Sequence, residues 1–203
     1  MCGRYYIASE DSNEEIKKLI DELNRRETEE KAAFKTGEVF PGDKALVVCN
    51  NKKLISRPYV MKWGFEGMNQ KLLINARSET AQEKSMFRDL IGFRRTLIPA
   101  SGYFEWEKEG KTKTKYALST EENVLFLAGL YRPRSDGSGH EFVILTKDAA
   151  PDIRFIHSRM PVAFTVKQMQ AWLTPESNFD RLIQDSLTTI HYRKAEGMEY
   201  GHG

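Results

Sequence analysis

The second residue of the chain is a cysteine, within the stretch Met1-Cys2-Gly3-Arg4-Tyr5. Cysteine is small enough to permit methionine removal, so we expect the mature chain to begin with Cys2. The alternative is that Cys2 is merely a small second residue with no chemical role. An N-terminal cysteine carries an amine and a thiol on adjacent carbons, and together they can close a five-membered thiazolidine on one aldehyde. Because a free amine titrates near ~8 and a thiol near ~8.5, we expect useful fractions of amine and thiolate at neutral pH.

Three other polar side chains stand where they could assist such chemistry. Asn75 opens a dense polar cluster directly after an apolar run, which is how a strand end presents side chains. Glu105 lies between Phe104 and Trp106. If it is buried, lost hydration favours its neutral form and suits it to proton transfer, but strand alternation could equally point it outward. His157 precedes a predicted strand, a setting in which a lone histidine is more often structural than catalytic.

The composition is that of an ordinary soluble protein. The chain has 203 residues, 40% hydrophobic and 30% charged, which suits one domain. We place that domain at residues 1–195 and expect residues 196–203 to form a flexible tail. No apolar run approaches a membrane span and no signal-peptide core is present, so we expect a cytoplasmic protein.

Cysteine and histidine usage predicts neither a disulfide framework nor a metal. Cys2 and Cys49 should both be free thiols in a reducing compartment. His191 and His202 have no metal-ligand spacing with either cysteine, and no phosphate-binding glycine loop is present. We therefore expect no metal and no cofactor.

The spacing of apolar residues and turn signals predicts a chain rich in strands. Ser12-x-x-Glu15 indicates a capping box that opens an amphipathic helix. A second helix is expected from about Thr80 to Ile91, with Lys84 and Arg88 on one face, and Pro58 should restrict its strand to an edge or a bulge. The predicted strands are 45–49, 54–63, 72–74, 96–100, 115–119, 124–130 and 141–146. Two modest helices are predicted near the C-terminus, at 166–173 and 179–187.

Four stretches fall together into one pattern. They are Met1 to Tyr5, Asn75-Ala76-Arg77-Ser78-Glu79-Thr80, Leu97 to Trp106, and Ile156-His157-Ser158-Arg159-Met160-Pro161-Val162. In this order they resemble the SOS response-associated peptidase (SRAP) family. The resemblance implies a single α+β domain with a β-barrel-like antiparallel core and flanking helices. It also implies covalent capture of abasic sites in single-stranded DNA, with Cys2 as nucleophile and with Asn75, Glu105 and His157 as the other catalytic residues.

The resemblance also suggests how DNA would be bound. Arginines beside the catalytic positions would contact phosphates, and tryptophans would stack on flanking bases. The candidates are Arg4, Trp63, Arg77, Arg88, Trp106 and Arg159, although a buried core position is at least as compatible with the local sequence of Trp63. The expected partner is single-stranded DNA with abasic sites. We expect a monomer, nucleoid-associated if the protein is bacterial, with self-processing and abasic-site lyase activity as further activities of the family.

Two other functions fit part of the sequence. Glutamine amidotransferases of the N-terminal-nucleophile class also begin with Cys-Gly and use the thiolate as an acyl acceptor, but Glu105 and His157 would then have no task. A non-catalytic single-strand DNA-binding module would need only the arginines and tryptophans. A glutaminase assay tests the first alternative. A denaturing gel separates the second from covalent capture.

Overall fold

The computed structural model describes residues 2–8, 13–28, 33–67, 71–175 and 177–195. Helix α1 (Glu14–Arg26) buries Ile16, Ile20 and Leu23, as the apolar spacing predicts. Its N-cap is Asn13, whose Oδ1 accepts from the backbone N–H groups of Glu15 at 3.0 Å and of Ile16 at 3.4 Å. Ser12, the predicted cap, lies outside the described residues, as do Met1 and the predicted tail 196–203.

The helix predicted from about Thr80 to Ile91 is two helices, α2 (Ser78–Ala81) and α3 (Ser85–Phe93). The carbonyl oxygen of Thr80 accepts from the backbone N–H groups of both Glu83 and Lys84 at 3.2 Å, which closes a turn. Lys84 then adopts an extended conformation and restarts the helix. The C-terminal helices are α4 (Met169–Leu173), preceded by a 3-10 turn at Val166–Gln168, and α5 (Phe179–Asp185); a further 3-10 turn lies at Pro151–Ile153.

One sheet of five strands carries the N-terminal segment. Its strands are β1 (Tyr5–Ile7), β2 (Gly37–Val39), β9 (Gly102–Glu109), β10 (Thr112–Ser119) and β15 (His191–Lys194). Their order in the sheet is β15-β10-β9-β1-β2, and every pairing is antiparallel. β1 therefore lies between β9 and β2, with Tyr5 directly opposite Tyr103.

The larger sheet closes on itself. Its strands are β3 (Lys44–Asn50), β4 (Ser56–Trp63), β7 (Asn75–Arg77), β8 (Arg95–Ala100), β11 (Leu125–Pro133), β12 (His140–Asp148), β13 (Arg159–Pro161) and β14 (Ala163–Phe164). The path β12-β4-β3-β8-β11 returns to β12, because β12 pairs with both β4 and β11. This ring gives the sheet-rich core its barrel-like form. It is mostly antiparallel, but β12 runs parallel to β4 and β7.

Two apolar clusters pack on the two faces of the five-stranded sheet. The main core joins the inner face to the closed ring, and the ring centroids of Tyr5 and Trp63 are 5.3 Å apart. A small second cluster on the outer face contains Tyr6, Phe104 and Ala117. The short strands β5 (Phe65–Glu66) and β6 (Leu72–Leu73) form a separate pair. Within the described part of the chain, no helix is long and apolar enough to cross a membrane.

Candidate active site

Cys2 is fully buried at the junction of the two sheets, just before β1. Asn75 opens β7, where it stands opposite Ile144 of β12. Its Nδ2 donates to the carbonyl oxygen of Cys2 at 2.9 Å. The Asn75 Oδ1 atom is also buried and accepts no hydrogen bond from the residues that the structure describes. Asn75 thus holds the backbone of Cys2 with its amide nitrogen, and its amide oxygen stays available as an acceptor.

Glu105 points into the protein. Its side chain is 5% exposed, and strand alternation places it with Tyr103 on the inner face of the sheet, while Phe104 packs on the outer face. The carboxylate is close enough to Cys2 for its charge to act on the thiol. Of the two orientations that the sequence allowed for Glu105, the structure therefore shows the buried one.

The Cys2 thiol is held in its neutral form. Burial raises the pKa of Cys2 far above its usual value, and the negative charge of Glu105 raises it further. A hydrogen bond from the Arg4 backbone acts in the opposite direction but is smaller. The expectation of a useful thiolate fraction at neutral pH took the pKa of a solvated thiol, and the burial of Cys2 acts against it.

Two tyrosine hydroxyls add polar atoms beside Cys2. The OH groups of Tyr5 and Tyr103 are buried and have no hydrogen-bond partner among the residues in the described ranges. Burial raises the pKa of both well above the usual value. Sequence reasoning missed these two residues. The signal was strand alternation, since Tyr103 must share a face with Glu105 and Tyr5 lies opposite Tyr103.

His157 lies just before β13, which pairs with β12 on the side opposite to β7. Thr146 pairs with Arg77 in β7 and with Pro161 in β13, so β7 and β13 flank β12 on opposite sides. The Nδ1 atom of His157 accepts from the backbone N–H of Arg159 at 2.9 Å. A neutral imidazole in this position carries its proton on Nε2 and can donate from there.

The Arg159 guanidinium, predicted to contact phosphate, is occupied by carboxylates. It donates to both oxygens of Glu79 at 2.7 and 2.8 Å and to Asp148 at 2.6 Å. It also donates to the carbonyl oxygen of Thr146 at 2.7 Å. These bonds tie α2 to β12 and β13, and they fix the backbone N–H that holds His157. The arrangement favours a positioning role over phosphate contact.

Arg4 and Trp106 lie on the face of the sheet opposite to Glu105. The guanidinium carbon of Arg4 is 4.3 Å from the ring centroid of Phe40 and 5.0 Å from that of Trp106. Its NH1 donates to Glu38 at 3.1 Å. Both residues therefore lie on the outer face of the sheet, away from Glu105.

The remaining candidates differ in exposure. Trp63 is fully buried, stacks on Phe142 and donates its indole N–H to the carbonyl oxygen of Ile74 at 3.1 Å. The stacking role predicted for Trp63 is therefore corrected to a core role. Arg88 is exposed, with one contact to Asp89 at 3.4 Å. Arg77 is also exposed, and within the described residues it makes no ion pair or hydrogen bond through its side chain.

The chain matches a family model described as "SOS response associated peptidase (SRAP)" over residues 1–200. Abasic site processing protein YoaM of Bacillus subtilis is 29% identical over 92% of this chain and 85% of its own length. Abasic site processing protein YedK of Escherichia coli is 28% identical over 87% and 81%.

Solved structures share the fold at lower identity. A crystal structure of a protein from Bacteroides thetaiotaomicron superimposes with a TM-score of 0.75 at 20% identity, covering 97% of this chain and 93% of the other. A phage-related protein from Bordetella bronchiseptica gives 0.72 at 23% identity, covering 96% and 94%.

Proposed function

This chain belongs to the SRAP family, and from that premise we propose that it captures abasic sites in single-stranded DNA by a covalent bond to Cys2. Two relatives are named abasic site processing proteins. An abasic deoxyribose opens to an aldehyde, which is the electrophile that an N-terminal aminothiol traps. The observation that carries the proposal is the placement of Cys2 in a buried polar site with Asn75 and Glu105.

The proposed reaction begins with hydrolytic removal of Met1, by an aminopeptidase or by the chain itself. The freed amine of Cys2 adds to the aldehyde carbon, and the carbinolamine loses one water to form an imine. The sulfur then bonds to the imine carbon while the thiol proton passes to the nitrogen. One aldehyde, one amine and one thiol thus give one thiazolidine and one water.

Three side chains would carry out the proton transfers. Glu105 takes the thiol proton and donates to the departing hydroxyl, which matters because the thiol is neutral in the folded chain. The free Oδ1 of Asn75 can accept from the Cys2 amine. The Nε2–H of His157 donates to the sugar ring oxygen as the ring opens.

Recognition of DNA would rest on charge and stacking. We propose Arg77 as the principal phosphate contact, because it is exposed and has no acid neighbour bonded to it in the described residues. Arg88 and Trp106 remain candidate contacts. Single strands are favoured because reaching a sugar within a stacked duplex costs a few kcal/mol of opening. One chain holds every group invoked, so we propose that it acts as a monomer.

The decisive test heats the protein in detergent with a single strand that contains one abasic site. Protein whose mass verifies a Cys2 N-terminus should leave an adduct that has lost one water, and Cys49→Ala should give the same adduct. Cys2→Ala, or a chain that retains Met1, should leave none. Wild-type protein without an adduct would overturn the proposal. Retained non-covalent binding would then favour a binding module, and glutamine hydrolysis an amidotransferase.

A further inference from the structure

Three aromatic side chains form an edge-to-face group beside the candidate active site, and two of them are about half exposed. Phe155 is 48% and Tyr192 is 46% exposed, and their ring centroids are 5.2 Å apart at 70°. Tyr116 lies beneath them, 5.8 Å from Phe155 and 5.9 Å from Tyr192. We call Phe155, Tyr192 and Tyr116 the aromatic platform. Single exposed apolar residues are ordinary, but contiguous exposed aromatic surface marks a site of interaction.

Strand register connects the platform to the site. Tyr116 is directly opposite Glu105 on β9 and directly opposite Lys194 on β15. Residues directly opposite one another share a face, so all three side chains emerge on the inner face of the sheet. Adjacent strands are about 4.8 Å apart, which puts Lys194 about 10 Å from Glu105 along the sheet. Phe155 is two residues before His157 and reaches the same place from the other side of the site.

The polar groups around the platform suit a nucleic acid strand. Lys194 is exposed at its edge, and Arg154, adjacent to Phe155 in the chain, is exposed as well. Two acids, Glu107 and Glu109, lie near Tyr116, and Glu107 accepts a hydrogen bond from the Tyr116 hydroxyl at 2.9 Å that fixes the ring. Cations that track phosphates beside exposed aromatic rings are what single-strand binding surfaces use.

Resting on the proposed function, we propose that the aromatic platform stacks on the base next to the abasic site. A base adjoining the captured sugar lies within the roughly 10 Å that separates Glu105 from the platform edge. Stacking reads no base edge, so the platform would hold the strand in register without selecting a sequence. It would also draw the neighbouring base out of a duplex stack, which favours single strands.

The test measures non-covalent affinity for oligonucleotides with a central tetrahydrofuran, an abasic analogue that has no aldehyde. Phe155→Ala should weaken binding about fivefold or more, and Tyr192→Phe should bind as wild type does. Replacing the neighbouring base on one side by a second tetrahydrofuran should weaken wild type equally and abolish the effect of Phe155→Ala. This non-additivity is the signature of a direct contact. Phe93→Ala removes a 70% exposed aromatic elsewhere and should have no effect.

Each other outcome overturns the proposal. The proposal is wrong if Phe155→Ala binds with unchanged affinity. It is also wrong if the affinity lost in Phe155→Ala is the same whether or not the neighbouring base is present. A wild-type protein that is dimeric, with a monomeric Phe155→Ala variant and no base dependence, would assign the platform to a second copy of the chain. If Phe155→Ala unfolds, Phe155→Leu and Tyr192→Ala replace it. Because tetrahydrofuran cannot be crosslinked, a base-dependent loss would stand even if covalent capture failed.

Discussion

Asn75 donates its side-chain amide to the carbonyl oxygen of Cys2 across 2.9 Å. Cys2 precedes β1 of the five-stranded sheet, whereas Asn75 is on β7, which pairs with β12 of the closed ring. The bond therefore links the two sheets and fixes Cys2 against both. It also makes the position of the proposed nucleophile depend on one side chain.

Replacing Asn75 by alanine should lower both stability and the rate of crosslinking. The substitution leaves a buried carbonyl oxygen without its donor, at a cost of about 1–3 kcal/mol. We expect a melting temperature several degrees lower and slower single-turnover crosslinking at saturating DNA. Asn50→Ala is the matched control, because its Nδ2 donates to the Leu173 carbonyl oxygen at 2.8 Å away from the site. Loss of stability in both variants with equal crosslinking rates would contradict the role of Asn75.

Arg77→Ala should weaken binding to single-stranded DNA uniformly across sequences. Removing one phosphate contact should reduce the slope of log affinity against log salt by about 1. Thermal unfolding should be unchanged because Arg77 is exposed. Arg25→Ala, on the exposed face of α1, removes the same charge elsewhere and should leave the slope as it is. Equal slopes for wild type and Arg77→Ala would remove Arg77 from the interface.

Arg159→Ala should act on stability and rate rather than on the salt slope. The Arg159 guanidinium lowers the pKa of Glu79 below its usual value of 4.5, chiefly by hydrogen bonding. A carboxyl group whose pKa is lowered by folding stabilises the folded state fully above its usual pKa. That stability is lost as the pH falls through the lowered pKa of the folded state. Wild type should therefore lose more stability between pH 6 and acid than Glu79→Gln does. If Arg159→Ala instead reduced the slope of log affinity against log salt and left stability unchanged, Arg159 would be a phosphate contact.

Gly102→Ala should destabilise the sheet that carries Glu105. An added Cβ would lie 2.5 Å from the Leu118 carbonyl oxygen and 2.6 Å from the Tyr6 hydroxyl oxygen. Overpacking of this kind costs about 1–3 kcal/mol, which denaturant unfolding would measure. Gly92→Ala is the control, since its Cβ meets nothing within 4 Å and alanine favours the helix α3. Equal stability of the two variants would show that β9 and β10 shift apart without cost.

The local elements could be predicted because their signals are local. Apolar spacing identified α1, but the apolar run at 72–74 was expected to end a strand at Asn75, and the structure instead starts β7 there. Pro58 was predicted at an edge or bulge, and β4 pairs with β12 only beyond it, at Lys62 and Trp63. Each of these features depends on residues within a few positions.

Long-range features could not be read in the same way. Strand alternation separates Trp106 from Glu105, but only the packing of both sheets shows which residue faces inward. The parallel pairing that closes the ring joins segments far apart in sequence and leaves no local pattern. Strand β15 was missed because four exposed residues carry no apolar alternation, and Tyr192 was missed with it.

Glu105→Gln should slow crosslinking while making the Cys2 thiol easier to ionise. Glutamine keeps the shape but cannot exchange protons, and general acid–base catalysis contributes about 10²–10⁴-fold. The substitution also removes a negative charge that raises the pKa of Cys2, so that pKa should fall, although burial still holds it up. In a Cys49→Ala background, alkylation of Cys2 by iodoacetamide should therefore be faster at a given pH. The two rates should move in opposite directions.

This opposition separates proton transfer from mere placement. If Glu105 moved no proton, glutamine would leave the crosslinking rate unchanged, and if thiolate supply limited the reaction, both rates would rise. Glu141→Gln is the matched control, because Glu141 is 2% exposed and bonded to Arg132 at 2.7 Å. That variant should lose stability yet crosslink normally per folded molecule. Faster alkylation with slower crosslinking in Glu105→Gln alone would identify the carboxylate as the group that moves the proton.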